Sequence, residues 1–237
     1  MASSPSKLRP AKVRNAVRRR WFERRVPRLA YRDVPGGLVD LGSSYGGWLV
    51  PTGLIESGWT AYTVGIGADI SFDLELISRW DATVRAFDAV EAFVDDANEA
   101  TVDEPRFVAC QAAIATADGP LRMQVSDVEH SRSVSSAELY QSARFVELPG
   151  RTLPSLMAEL GDERIDLLKL DIEGAEYAVL PQLDLPSLGV KVFATQLHHT
   201  GSVGDARRLI ADLGRAGYRP VGTRPAVKVT FVREDLL

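Results

Sequence analysis

The chain has 237 residues, 45% of them apolar or aromatic and 25% charged, which is long enough for one sizeable α/β core and excludes fibrous, collagenous and wholly disordered classes. A single cysteine, Cys110, excludes a disulfide framework and a CxxC-type zinc site, and it suits a reducing, cytoplasmic setting. The net charge of −4 hides an asymmetry: residues 1–32 carry 11 Lys and Arg against one Glu (+10), leaving 17 against 31 (−14) for residues 33–237.

In chain order, residues 1–10 read as a Ser- and Pro-rich leader, and a helical pattern runs from after Pro10 to before Pro27. Val13, Val17 and Trp21 recur at i, i+4, i+8 with Ala16 beside them, while Lys12, Arg14, Arg18, Arg19, Arg24 and Arg25 occupy the remaining surface. This basic arm, 1–32, is expected to carry a short amphipathic helix. That helix either packs its apolar stripe on the domain or on a second subunit of a homodimer, or rests peripherally on the anionic inner membrane surface. No apolar stretch of about 18 residues is present, and no apolar segment follows the charged N-terminus as a signal peptide requires, so neither a membrane span nor secretion is expected.

From residue 33 onward, β-branched runs alternate with helical periods. Strands are expected near 61–66, 83–88, 106–110, 165–171, 191–197, 218–222 and 227–232, with helices near 72–80, 90–100, 152–160, 174–183 and 203–216. The segment 119–148, with its alternating Leu121–Val125 run and Ser-rich 131–136, interrupts the rhythm and reads as an extra strand or two with a loop over the sheet edge. The Thr223-Arg224-Pro225 turn between the last two strands suits an antiparallel hairpin. The expected fold is therefore α/β, a Rossmann-like, mostly parallel seven-stranded sheet with helices on both faces, in one domain over 33–237.

Three segments carry chemistry. Val64-Gly65-Ile66-Gly67 runs from a strand into a tight Gly-x-Gly turn and then a helix start at Ser71 and Phe72, where backbone can approach a ligand and free N–H groups are on offer. At the next strand end stands Asp88, placed to accept the hydroxyl hydrogens of a ribose. In the second segment, Leu167, Lys169 and Asp171 share one strand face, and the carboxylates of Asp171, Glu173 and Glu176 gather about a helix start; a lysine inside an apolar strand requires a partner. Third, His198 and His199 end the following strand at the same sheet edge, where an imidazole could deprotonate a hydroxyl.

The block IDLLKLDIEGAEYAVL at 165–180, the stretch Tyr45-Gly46-Gly47-Trp48, the glycine turn through Asp73 and Ala86-Phe87-Asp88 together resemble the FkbM family of S-adenosylmethionine-dependent methyltransferases. The resemblance covers roughly residues 38–233. It implies a class I methyltransferase sheet and O-methylation of a hydroxyl on a sugar, glycolipid or other secondary metabolite. Gly65 and Gly67 would lie at the methionine part of S-adenosyl-L-methionine, Asp88 at its ribose, and Tyr45, Gly46 and Gly47 in a loop closing over it, with Ser71 and Phe72 as further cofactor-binding residues. Asp171 would stand near the sulfonium and acceptor, with Glu173 and His198 as further acceptor contacts and His198 as the proton acceptor. Two departures are Ala89, where relatives commonly have proline, and Gln196, where they have Glu.

Other readings stay open on the residues alone. Mg²⁺ held by Asp171 and neighbouring acids would acidify a diol. An NAD-linked oxidoreductase could use the same glycine turn and Asp88. A non-catalytic protein could bind a partner or nucleic acid through the basic arm, although the acidic body and the absence of interleaved stacking aromatics leave nucleic acid unexpected.

Overall fold

The computed structural model describes residues 8–26, 29–126, 134–136 and 144–237. The elements are α1 (Leu8–Arg25), β1 (Leu38–Leu41), β2 (Trp48–Pro51), β3 (Thr60–Val64), α2 (Ser71–Trp80), β4 (Thr83–Asp88), α3 (Glu91–Ala100), β5 (Phe107–Gln111), β6 (Ala113–Ile114), β7 (Gly119–Val125), β8 (Val134–Ser135), β9 (Phe145–Arg151), α4 (Leu153–Leu160), β10 (Leu167–Leu170), α5 (Glu176–Val179), β11 (Val192–Gln196), α6 (Val203–Arg215), β12 (Tyr218–Arg224) and β13 (Lys228–Arg233). Seven of the strands form one sheet in the order β12-β13-β11-β10-β3-β4-β5, parallel except for β13, which runs antiparallel to both its neighbours.

The central strand β10 is buried along its whole length, as a parallel strand covered on both faces must be. Alternation divides its side chains between two cores. Leu168 and Leu170 pack with Tyr62, Phe87, Phe193 and Phe231, while Leu167 packs with Trp59, Phe72, Leu76 and Val192 on the other face. Helix α6 is set by a capping box between Ser202 and Asp205 and buries Val203, Ala206, Leu209 and Leu213 at helical spacing. Helix α4 starts at the Thr152 cap and stops at Gly161, whose φ of +72° ends it in the left-handed region.

One expectation needs correction. The helix read over 174–183 is a single turn, α5, followed by a 3-10 turn at Leu180–Gln182, because Pro181 has no N–H to continue the helical ladder. Tyr45, Gly46 and Gly47 do lie in a loop, the connection of a β1–β2 hairpin that the expected strands did not include; its strands are four residues each, too short to show an alternation. The segment 119–148, read as an extra strand or two with a loop, supplies β7, β8 and the start of β9 to a second sheet of order β6-β9-β7-β8; of the Ser-rich stretch 131–136 only 134–136 lies within the described residues.

The arm also differs. Of the expected stripe, the side chains of Val13 and Ala16 lie outside the described residues, and Val17 and Trp21 are 62% and 50% exposed. The helix docks instead through Phe22 and Val26, which join the core cluster that holds Val203 and Val227. Residue 22 lies about 100° round the helix from residue 21, so the apolar residues fall on two sides and the helix is not amphipathic in the sense expected. Arg18 donates to the carbonyl of Thr200 at 2.7 Å, tying α1 to the loop that follows β11. No helix among the described residues is long and apolar enough to cross a membrane.

Candidate active site

The parallel strands deliver their carboxyl ends to one edge, where a cavity of about 960 Å³ opens. At the end of β3, Gly65 has a φ of +73°, and a Cβ there would stand 1.9 Å from the Asp171 carbonyl. Glycine is thus required where β3 and β10 converge, apart from any ligand. Gly67, φ +56°, is different: a Cβ on it would meet nothing within 4 Å, and its N–H donates at 2.9 Å to Asp88 Oδ2. Asp88 Oδ1 accepts from Val90 N–H at 2.9 Å. Burial raises the pKa of this carboxyl, against the Val90 and Gly67 hydrogen bonds that lower it.

The loop before β2 is clamped to this turn by Asp69. Its carboxylate accepts from Ser43 Oγ, from Gly46 N–H at 3.1 Å and from Ser71 Oγ at 2.6 Å. Burial acts to raise its pKa, but these bonds outweigh it and hold the group below the usual carboxylate range. Nothing in the spacing singled out Asp69; the glycines and Ser71 around it were visible, but not their common partner.

Lys169 has the partner its burial demands. Its Nζ donates to the carbonyls of Val64 at 3.0 Å and Gly65 at 2.7 Å, and it lies 5.5 Å from the centre of the Trp48 ring. The lysine therefore pins the glycine turn from below. Beneath it Asp73, fully buried and accepting from Thr63 Oγ1, has its pKa pushed up to about 6 by burial, with Lys169 opposing.

On the β10–β11 side, Asp171, Glu173 and His198 bring ligand atoms within 4.8 Å of one another. Glu173 adopts a φ of +51°, a left-handed conformation costly for a side chain with a Cβ, and its carbonyl accepts from Ser135 Oγ at 2.5 Å. His198 Nδ1 is 2.8 Å from Oε1 of the fully buried Glu176, and Nε2 lies 3.6 Å from Glu173 Oε2 and 3.8 Å from Asp171 Oδ1. Burial works against an imidazolium here, yet Glu176, Asp171 and Glu173 overcome it and raise the His198 pKa to about 10. The three carboxylates favour the imidazolium over the neutral ring, and the Gln196 amide nitrogen also stands 3.1 Å from Nε2. Glu176, which reads in sequence as a first-turn acid, is its main partner. His199 is instead pushed down to about 4 by burial and by Arg18 of α1.

Of the residues singled out in the sequence, Tyr45, Gly46, Gly65, Gly67, Asp88, Asp171 and Glu173 line the cavity. Gly47, Ser71, Phe72 and His198 do not. Phe72 is core, 2% exposed; Ser71 holds Ser43 and Asp69; Gly47 is packed against the carbonyls of Ser43 and Leu41; His198 stands behind the carboxylates. Also lining it are Trp48, from the stretch that carries the resemblance, and Gln196, noted as a departure, together with Arg224 and Lys228 at one end and Val90, Phe93 and Ala112 at the other. Met123, Val134 and Ser136 of the insertion also reach it.

Sheet order, the lone antiparallel β13 and a cavity across the carboxyl ends of β3, β4 and β10 define a class I methyltransferase fold. A methyltransferase FkbM domain matches residues 60–220, and the chain belongs to that family. No curated protein matches the sequence. Among solved structures, monomeric WbdD is similar at 15% identity, covering 75% of this chain and 36% of that chain with a TM-score of 0.43. The Methanococcus jannaschii fibrillarin pre-rRNA processing protein is 11% identical over 76% of this chain and 67% of its own, TM-score 0.41. The human methyltransferase 10 domain containing protein is 11% identical over 92% and 80%, TM-score 0.41.

Proposed function

We propose that the protein is an S-adenosylmethionine-dependent O-methyltransferase that acts on a hydroxyl of a sugar, glycolipid or other secondary metabolite. The observation that carries this reading is that one cavity is lined both by Gly67 with Asp88 and by Asp171 with Glu173. The residues suit the cofactor: open space at Gly67, a carboxylate at Asp88 with lone pairs left for ribose hydroxyls, and the apolar Val90, Phe93 and Ala112 for adenine. Bound there, the cofactor supplies an electrophilic methyl group.

For its part, the chain supplies position and a proton acceptor. Glu173, at the cavity wall, takes the proton of the acceptor hydroxyl, with His198 Nε2 3.6 Å from Glu173 Oε2 and 3.8 Å from Asp171 Oδ1 beside it. Transfer of labelled methyl from S-adenosylmethionine to a panel of glycosides tests the reaction. Stabilisation by adenosylhomocysteine is expected; binding of nicotinamide dinucleotide in its place would establish the oxidoreductase reading instead.

A second reading rests on the same cluster. Among the described residues buried Asp171 Oδ1 has no hydrogen-bond partner, and Nδ1 of His198 is already engaged by Glu176, an arrangement that orients an imidazole toward a metal ion. Asp171, Glu173 and His198 would hold a divalent cation, and an imidazole in the set suits manganese or zinc better than Mg²⁺. Full activity after EDTA treatment ends this reading.

A further inference from the structure

Among the described lining residues, Lys228 is the cation that the reading so far leaves without a task. Arg224 is taken by Asp40 at 3.1 Å and by the carbonyls of Gly47 and Ser43, and Lys169 by those of Val64 and Gly65. Lys228 Nζ donates to the Tyr45 carbonyl at 3.0 Å and lies 4.6 Å from the centre of the Trp48 ring, the ring that Lys169 also faces. Among the described residues no carboxylate lies within ion-pair distance of it. The ammonium is half-buried, and burial depresses its pKa, with the more distant Asp171 opposing.

The backbone sets it there at a cost. Val227, immediately before it, is buried with a φ of +60°, a left-handed conformation that β-branched residues rarely adopt, and its carbonyl accepts from Leu197 N–H at 3.1 Å. Strain at the residue that launches β13, tied to the residue before His198, fixes where Lys228 enters the cavity. The remaining walls are acidic: Asp69, Asp88, Asp96, Asp171 and Glu173 all line it. An anionic group on a ligand is repelled from those positions and attracted to the Lys228 end.

We propose that Lys228 is the carboxylate-binding residue of the cavity, receiving the carboxylate of the amino-acid end of the cofactor. This rests on the methyltransferase reading for the cofactor's identity. The Tyr45 loop that it touches and the Lys169-pinned Gly65 line the same cavity. An acidic group on the acceptor has the same chemistry, and the test separates the two sources.

Calorimetric titrations of the full chain, Lys228→Met and Lys228→Arg use adenosylhomocysteine and 5′-methylthioadenosine, which keeps the nucleoside and thioether but has no carboxylate. With the cofactor as source, Lys228→Met weakens adenosylhomocysteine about 10- to 100-fold, leaves methylthioadenosine within about twofold, and Lys228→Arg recovers most of the loss. With the acceptor as source, adenosylhomocysteine binds all three alike, and acetate added to that complex binds the wild type but not Lys228→Met. Equal binding of every probe by wild type and Lys228→Met overturns the proposal, as does an equal loss of both nucleosides, which makes Lys228 a support of cavity shape. A wild type that binds neither nucleoside sinks the methyltransferase reading, and acetate titrated onto the free protein then decides Lys228 by itself.

Discussion

The two walls of the cavity hold their carboxylates by different means. On the β3–β4 wall, Asp88 is oriented by amides of the chain itself, Gly67 and Val90. On the β10–β11 wall, Asp171, Glu173 and Glu176 surround one imidazolium that comes from the next strand, and the orientation of each depends on the charge of the others. Backbone-held groups are independent of one another, so removing one has a local effect. A ring of three carboxylates about a buried cation is coupled, and losing a member leaves charge without compensation.

That contrast can be broken by substitution. The largest effect is expected at the coupled wall: Glu173→Gln lowers kcat about 10²- to 10⁴-fold, because the proton acceptor is gone, while the Kd for adenosylhomocysteine stays within about twofold. A fully active variant would make the cluster a structural device only. Next comes the layer beneath the glycine turn. Asp73 has a folded pKa of about 6 against an ordinary 3.8, so the folded state binds its proton more tightly than the unfolded chain does. Stability from this group is therefore present below pH ~4 and is lost as pH rises towards ~6, in all about 3 kcal/mol. Urea denaturation across that range should show the loss in the wild type and a flatter profile for Asp73→Asn. The smallest effect belongs to the backbone-held wall: Asp88→Asn, which keeps one acceptor oxygen, weakens adenosylhomocysteine about tenfold with kcat at saturation little changed. A loss in kcat equal to that of Glu173→Gln would erase the distinction between the walls.

The first wall was legible in the sequence because its parts are local. A strand end, two glycines and an acid at the next strand end announce themselves by spacing, and β3, β4 and β5 fall within a residue or two of their expected places. The second wall was legible only as a list of candidates. Asp171, Glu173, Glu176 and His198 were all visible, but the pairing of His198 with Glu176 across 22 residues was not, and that pairing favours the imidazolium form of the ring. In helix α1 the periodicity of Val13, Val17 and Trp21 was real in sequence, yet docking chose Phe22 and Val26 because the domain presents its apolar surface to that side.

By itself the sequence determined the alternation of strands and helices, the seven-stranded sheet with its closing hairpin, and the edge at which the functional residues gather. Hydrophobic period, glycine turns and helix caps are local properties, each written within a dozen residues. Only the tertiary structure decided which buried charges meet: Lys169 with the carbonyls of the glycine turn, Asp69 with the loop before β2, His198 with Glu176, and Lys228 on Trp48 at the far end of the cavity. Those meetings depend on the packing of strands distant in the chain, and the protonation states that govern the chemistry depend on them in turn.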